Sequence, residues 1–293
     1  MPALARDFLI PLWKAFEPLI PERIDTHPYG GHRPRISDRT IFECLVSIVV
    51  EGRSFERAST LEVSATTLRR RRDEWIEAGI FGRLLEIVQA GYDRMIGFDF
   101  EDVAVDGCIT KAPGGGEVAG RSPVDRAKLG IMRSLMVDGN GAPLVTVIAP
   151  ANTNDSRLLT PTFEGLRPFT FELPDQMTVH LDAGYDSRKT RAFLDELGCD
   201  YMISKKGVKL QVDSRWKVER AHSWFNSFKV LAVCHERRRA VIDAWVQFAT
   251  TIILIKKLVK EGWARYRWEG RPKRWKSKWG RSLARRIKRK TGN

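Results

Sequence analysis

Up to about Phe98, apolar residues recur along the chain at the spacing of a helix. The clearest run is Ile41, Leu45, Ile48 and Val49. Residues three or four positions apart lie on one face of an α-helix, so this run predicts an amphipathic helix. Ser37 or Asp38 would cap its start, because either side chain can accept a hydrogen bond from a backbone N–H of the first turn. We therefore expect residues 1–98 to form an all-helical domain.

Two further helices are predicted after the first, each beginning at a serine cap. Ser54 would begin a short helix that runs to Leu61, and Ser64 would begin the next. The latter carries, on what we expect to be its outward face, Arg69, Arg70, Arg71 and Arg72. The succession over about residues 38–78 resembles a helix-turn-helix, whose second helix enters the major groove of DNA. Four consecutive arginines spread around a whole helical turn, so some of them could be solvated instead.

From about residue 99 the period of the pattern changes from helix to strand. Short apolar and β-branched runs alternate with turns at residues 103–109, 130–137, 144–148, 178–181 and 199–204. Between the second and third runs, Asp138-Gly139-Asn140-Gly141 readily adopts positive φ and predicts a hairpin. Helical patterns follow the strands at residues 156–166, 187–197, 217–233 and 240–259.

This order of elements predicts the fold class. Three strands, a helix, a strand, a helix, a strand and then helices form the order of a ribonuclease H-like mixed sheet. We therefore predict an α/β protein in which an all-α helix-turn-helix domain, residues 1–98, precedes a ribonuclease H-like catalytic domain, residues 99–260. A basic tail, residues 261–293, would follow.

The net charge of +14 is concentrated in that tail. Residues 263–293 hold 13 lysines and arginines and one acid, Glu269. Such a cluster favours a polyanionic partner, because bound lysine and arginine release counterions from phosphates. Tryptophans interleave with the cations, at Trp263, Trp268, Trp275 and Trp279. They predict base stacking beside phosphate contacts, although they could instead dock on the protein's own surface.

Cysteine usage and hydropathy narrow the possible classes of protein. Cys44, Cys108, Cys199 and Cys234 form no CxxC pair, so neither a disulfide framework nor a zinc site is indicated. Arg6 and Asp7 interrupt the early apolar residues, so we expect no signal peptide. The most apolar run, residues 248–255, is too short to cross a bilayer. We expect a cytoplasmic or nucleoid-associated protein that does not bind membranes.

Three acidic residues occur where a predicted strand ends or a helix begins. Asp106 and Asp182 each end an apolar strand, and Glu219 opens a helix. Acids at such strand ends face the rim of the sheet where ligands bind. A buried carboxylate is costly unless a cation or donor compensates it, and three carboxylates together suit Mg²⁺ or Mn²⁺. Singly, however, Asp106 could be a turn residue and Glu219 could stabilise its helix N-terminus.

Such an oxygen-only site suits phosphodiester chemistry. Two ions about 3.5–4 Å apart can activate water or a 3′-hydroxyl on one side and stabilise the leaving oxygen on the other. A covalent protein nucleophile is then not needed, and the sequence contains no serine elbow. We therefore predict Mg²⁺ or Mn²⁺ as the cofactor, two ions per active site.

Short motifs occur in a specific order between residues 103 and 257. They are Asp106-Gly107, residues 120–126 (GRSPVDR), residues 137–144 (VDGNGAPL), Asn154-Asp155-Ser156, residues 182–187 (DAGYDS), and Val218-Glu219-Arg220 with Trp224, Phe225 and Asn226 after it. In these motifs the chain resembles the DDE transposases of bacterial insertion sequences, in particular the group named for insertion sequence five. Residues 16–21 (FEPLIP) are also similar to the opening of that group.

The resemblance implies that Asp106, Asp182 and Glu219 are the catalytic metal ligands. Arg215 matches an arginine that the group carries four residues before the glutamate. Val212 stands where a tyrosine is expected, and Asn226 stands where a lysine is expected. Lys229, one helical turn further on, is the candidate substitute for that lysine.

Two further residues near these motifs have open interpretations. His222 lies three residues after Glu219 on one helix face, so it could approach the metals or DNA, or be a surface or core histidine. Asp155 belongs to a recognisable motif and is interpreted as a group that fixes its loop.

The function implied is that of a DNA transposase, which binds the terminal inverted repeats of its element, cleaves DNA and transfers the strand. Partners would be double-stranded DNA and a second copy of the chain, in a homodimer or higher assembly. The predicted DNA contacts are Arg69, Arg70, Arg71, Arg72, Arg215, Arg220, Lys229, Arg237, Arg238, Lys273, Arg274 and Lys276. Two alternatives stay open: a non-catalytic DNA-binding protein derived from a transposase, and a metal-dependent nuclease without strand transfer.

Overall fold

The computed structural model describes residues 3–22, 35–167, 174, 176–204 and 215–265. The predicted tail contacts Lys273, Arg274 and Lys276 lie outside the described residues, as does the side chain of Arg215. Residues Met1–Val259 form one compact unit, and the chain from Lys260 belongs to a second. The change from helices to strands near residue 98 lies within the first unit.

The N-terminal part of the first unit is helical, as its apolar spacing predicts. The elements are α1 (Arg6–Phe16) with a 3-10 turn (Glu17–Leu19), α2 (Asp38–Glu51), α3 (Phe55–Ala58), α4 (Ala65–Glu77) and α5 (Ile80–Met95). The predicted serine caps are confirmed: Ser37, Ser54 and Ser64 accept hydrogen bonds from backbone N–H groups three residues on, at 3.1, 3.2 and 3.1 Å. Helix α3 ends at Ala58 and not at Leu61, because the chain is extended at Ser59.

The arginine run of α4 does not face outward as a whole, so that prediction is wrong for two of its members. Arg71 is 1% exposed and Arg72 is 5% exposed. Arg71 pairs with Asp38 of α2 and lies 3.5 Å from Glu74. The side chains of four consecutive residues point in all directions around a helix. Part of the run therefore faces the neighbouring helix α2.

The second part of the unit contains the mixed sheet. Its strands are β1 (Asp102–Lys111), β2 (Gly120–Arg121), β3 (Leu129–Val137), β4 (Pro143–Pro150), β5 (Thr178–Leu181) and β6 (Asp200–Ile203). Neighbours follow the order β2-β3-β1-β5-β6, and β4 also pairs with β3. The pairs β1–β3 and β3–β4 are antiparallel, whereas β1–β5 and β5–β6 are parallel. This topology confirms the predicted ribonuclease H-like fold class.

Helices cover both faces of the sheet. They are α6 (Asp155–Glu164), α7 (Arg188–Glu196), α8 (Arg215–Ser227), α9 (Lys229–Ala232) and α10 (Arg239–Arg265), with a 3-10 turn at Ala183–Tyr185. Successive residues of a strand point to opposite faces. Val103 and Val105 share a buried cluster with Leu159 of α6 and Leu194 of α7. Ala104 belongs instead to the large core that α8, α10 and the N-terminal helices form.

The predicted hairpin between β3 and β4 is confirmed. Asp138 is fully buried, and its carboxylate accepts hydrogen bonds from the backbone N–H groups of Asn140, at 3.0 Å, and of Asp99, at 3.2 Å. Gly141 has a φ of +70°, the left-handed conformation that the motif favours. Within the described ranges, no helix is both long and apolar enough to span a bilayer.

Candidate active site

Asp106 and Asp182 lie on neighbouring chain segments, at the point where the parallel pairing of β1 with β5 ends. The parallel pairing of β1 with β5 ends at Val105 and Leu181, and the next residue of each chain segment is one of these aspartates. Paired strands lie about 4.8 Å apart, so the two carboxylates start from adjacent positions. Each accepts a hydrogen bond from the backbone N–H that follows it, at 2.9 Å for Asp106 and 2.6 Å for Asp182.

Asp106 does not end its strand, contrary to the sequence-based expectation. Strand β1 continues to Lys111, because its antiparallel pairing with β3 extends over residues 104–111. What ends before Asp106 is the pairing with β5. Asp106 is therefore held on one side by β3 while its other side opens toward the end of the sheet.

Glu219 lies on α8, which packs against β1 and β3. Two side-chain contacts fix this helix along β1. Lys217 Nζ lies 3.0 Å from Asp102 Oδ2, and His222 Nε2 lies 3.9 Å from Asp106 Oδ2. Glu219 lies between these two residues in the sequence, and its side chain is exposed whereas His222 is buried. The turn of α8 that carries Glu219 therefore runs along the strand that carries Asp106.

The donor chemistry of these side chains fits a hard divalent cation, which prefers carboxylate oxygens. In the ranges that the structure describes, however, no three Asp, Glu, His or Cys side chains are arranged to hold a metal ion. Carboxylates repel one another when no cation lies between them, and the backbone N–H groups already bind Asp106 and Asp182. The meeting of Asp106, Asp182 and Glu219 at one cation remains a prediction.

Asp155 lies beside both strand-end aspartates, which the interpretation as a loop-fixing group did not anticipate. It is the first residue of α6, behind the cap Asn154. A Cβ on Gly107 would overlap Asp155 Oδ1, and one on Gly184 would lie 3.9 Å from Oδ2. Burial and the charge of Asp182 raise the pKa of Asp155. The glycine directly after Asp106 was the signal in the sequence, because only a residue without a side chain admits this carboxylate.

A buried arginine supports α8 from the sheet. Arg133 of β3 is 2% exposed, and its Nη2 donates a hydrogen bond to Asn226 Oδ1 at 3.0 Å. The guanidinium lies 4.8 Å from the centre of the Phe225 ring. Burial lowers the pKa of Arg133 to about 10, so the group stays charged at neutral pH. A lysine at position 226, which the family resemblance led us to expect, would face this cation; asparagine accepts from it instead.

The same arginine influences the protonation and the tautomer of His222. Arg133 Nη2 lies 3.4 Å from His222 Nδ1. Burial, with the charge of Arg133, lowers the pKa of His222 to about 3, so the ring is neutral. Since an arginine can only donate, Nδ1 is the acceptor and Nε2 carries the proton. That N–H faces Asp106. The one sign of this contact in the sequence was an arginine inside the apolar strand β3.

Comparisons with known proteins identify the family of this chain. Residues 97–213 match the family model of the transposase DDE domain. A protein assigned as the transposase of insertion sequence element IS402, from Burkholderia cepacia, is 31% identical over 141 residues, which cover 46% of this chain and 67% of that protein. The chain belongs to the DDE transposases of insertion sequences. The transposase thus carries Asp106 and Asp182 within the matched region and Glu219 just beyond it.

Solved structures of other transposases are also similar to this one. The Mos1 mariner paired end complex with Mn is 13% identical, with 81% of this chain and 80% of that chain covered and a TM-score of 0.33. The piggyBac transposase synaptic complex with hairpin DNA is 9% identical, with 89% and 74% covered and a TM-score of 0.44.

The transposase holds most of its predicted DNA-binding cations in intramolecular contacts. Arg69 pairs with Glu56, Arg238 pairs with Asp73 at 2.6 Å, and Arg72 also pairs with Asp73, at 2.9 Å. These pairs neutralise part of the cationic surface that the sequence suggested.

The remaining predicted cations are placed by other contacts. Arg220 lies between two tryptophan rings, 4.3 Å from the centre of Trp216 and 4.9 Å from that of Trp224. Arg237 Nε donates to the carbonyl oxygen of Gly114 at 2.8 Å. Lys229 is exposed at the start of α9. Arg70 keeps 68% of its side chain exposed, so it is the member of the α4 run that solvent reaches best.

Proposed function

We propose that this transposase cleaves DNA at the ends of its own insertion sequence and joins those ends to target DNA, with Asp106, Asp182 and Glu219 as the catalytic carboxylates. The proposal is carried by the end of the parallel β1–β5 pairing, because Asp106 and Asp182 each follow the last paired residue of these adjacent strands. Helix α8, anchored through Lys217 and His222, supports Glu219 as the third member.

The three carboxylates would hold Mg²⁺ or Mn²⁺, two ions per site. When bound, such ions activate water or a 3′-hydroxyl and stabilise the leaving oxygen. The protein's own contribution is to supply negative charge at fixed positions. His222 Nε2 lies 3.9 Å from Asp106 Oδ2, too far for a direct hydrogen bond, and Arg133 Nη2 lies 3.4 Å from the other ring nitrogen. In the assembled site the imidazole N–H would support the Asp106 carboxylate, as outer groups of metal sites do in general.

DNA would be bound chiefly through its phosphates. Arg70 and Arg237 are exposed, and Arg220 and Lys229 lie on or next to the helix that carries Glu219. Arg71 and Arg72 stabilise the fold instead, because both are buried in ion pairs. The basic tail with Lys273, Arg274 and Lys276, together with Arg215, would add affinity that falls with salt. Since two element ends must be joined in one event, we expect a dimer or higher assembly on DNA.

The test is cleavage of DNA that carries the inverted repeats found beside the gene, with Mg²⁺ or Mn²⁺ present or absent. We expect nicked and joined products from the wild type only with the metal, and a loss of at least about a hundredfold in Asp182→Asn. Asp195→Asn is the matched control, because Asp195 is exposed on α7 and belongs to none of the motifs. Equal rates for wild type and Asp182→Asn would refute the assignment.

The same assay separates the two alternatives. Metal-dependent cutting that never yields joined strands would identify a nuclease without strand transfer. Specific binding of the repeats without cutting by any variant would identify a non-catalytic DNA-binding protein.

A further inference from the structure

We propose that Asp155 is a fourth carboxylate of the cation site, acting beside Asp106 and Asp182; this inference rests on the proposed function. Helix α6 presents it from the face of the sheet opposite α8. The site would then receive carboxylates from both faces of the sheet at the end of β1.

Two glycines bring the Asp155 carboxylate into place. Gly107 follows Asp106, and Gly184 is the second residue after Asp182. Any side chain at position 107 would occupy the space that Asp155 Oδ1 takes, whereas a Cβ at position 184 would lie 3.9 Å from Oδ2, in ordinary van der Waals contact. Because Gly107 has no Cβ, the Asp155 carboxylate of α6 can approach the backbone of β1 directly after Asp106.

One oxygen of the Asp155 carboxylate lacks a hydrogen-bond partner, although its own backbone N–H interacts with the group. Asp155 Oδ1 is buried and makes no hydrogen bond within the described residues. Asp182 adds a repulsive charge. Position in the first turn of α6 favours a negative charge. This position in the helix neither supplies a hydrogen-bond partner for Asp155 Oδ1 nor explains why that oxygen lies against Gly107.

A second buried polar group points to the same place. Tyr185 is 1% exposed, and its hydroxyl, which lies near Ser134, makes no well-formed hydrogen bond in the described part of the chain. Burial, followed by the charges of Asp155 and Asp106, raises the pKa of Tyr185, so the hydroxyl lies beside both acids. A cation with its water ligands would compensate the acids and give this hydroxyl a partner.

The experiment measures Mn²⁺ binding to the full-length protein without DNA, by electron paramagnetic resonance of free Mn²⁺, together with thermal unfolding. The variants are Asp155→Asn, Asp182→Asn and the control Asp195→Asn. We expect Asp155→Asn to weaken Mn²⁺ binding about tenfold or more, as loss of a supporting or direct ligand does. The melting temperature without metal should be unchanged or higher, because the substitution relieves repulsion from Asp182.

The outcomes distinguish this inference from the function on which it rests. Wild-type Mn²⁺ affinity in Asp155→Asn, with weakened binding in Asp182→Asn, would overturn the role of Asp155 and leave the proposed function intact. A lower melting temperature with wild-type affinity would show a structural residue. Absence of Mn²⁺ binding in the wild type would remove both. If Asp155→Asn does not fold, Asp155→Ser, which also removes the carboxylate, replaces it, and wild-type affinity there would equally overturn the inference.

Discussion

The guanidinium group of Arg133 lies 3.4 Å from Nδ1 of His222, at the buried junction of β3 and α8. On its other side the imidazole presents Nε2 to Asp106 at 3.9 Å. One cation inside the sheet thus determines which ring nitrogen faces the catalytic strand. The neutral imidazole ring of His222 therefore lies between the charged Arg133 and Asp106.

We expect His222 to populate the Nε2–H tautomer at neutral pH. Arg133 has no acceptor, so protonation of Nδ1 would place two donors against each other in a buried site. Long-range ¹H–¹⁵N spectra of the imidazole nitrogens measure this directly, with His222→Gln to assign the signal and the exposed His235 as an internal reference. A protonated Nδ1, or a doubly protonated ring at neutral pH, would contradict the arrangement.

Gly107→Ala is expected to destabilise the protein by about 1–3 kcal/mol, because the new methyl group overlaps Asp155 Oδ1. Gly91→Ala is the matched control: Gly91 lies inside α5, and a Cβ there would meet nothing within 4 Å. Alanine in a helix should stabilise by about 0.5–1 kcal/mol. Urea unfolding of both variants checks the sign of each effect; destabilisation of similar size in both would mean that the contact with Asp155 is not responsible.

The sequence predicted the elements of the fold better than the contacts of the site. Helices and strands follow from local periodicity, as in Ile41 to Val49 or in β3. Asp106 and Asp182 could be located because each follows an apolar run. The end of β1 could not be located from the sequence. The length of this strand depends on its pairing with β3, which no local pattern reveals.

Burial of polar side chains was the part that local patterns could not show. Arg70, Arg71 and Arg72 are the same type of residue. The neighbouring elements, such as α2 beside Arg71, decide which of them is buried. Arg133 and Asp155 likewise receive their neighbours from elements far along the chain, at Asn226 and at Gly107. Long-range contacts of this kind distinguish a solvated charge from a structural or catalytic one.

Asp138 should make stability depend on pH. Burial raises its pKa to about 6 despite backbone N–H donors, whereas the unfolded carboxyl has an ordinary, lower pKa. The folded protein therefore binds the proton more tightly, and this contribution to stability is present at low pH and lost as the pH rises through 6. Relative to Asp138→Asn, which cannot titrate, the wild type should gain about 1 kcal/mol between pH 7 and pH 5. Urea unfolding at both pH values measures the difference, and parallel changes in the two proteins would show that Asp138 is not the source.

Arg71 should act on stability and not on DNA recognition. Replacing it with methionine fills the space but leaves Asp38 without its cation, at a cost of about 2 kcal/mol. Glu74 keeps Arg35 at 2.6 Å, and the loss stays below that of a fully buried pair because Asp38 is partly exposed. Arg70→Met, at a side chain that is 68% exposed, should change the free energy of unfolding by less than about 0.5 kcal/mol. Urea unfolding and repeat-DNA binding are measured for both variants. Weaker DNA binding by Arg71→Met at unchanged stability would place Arg71 in the DNA interface and reverse this assignment.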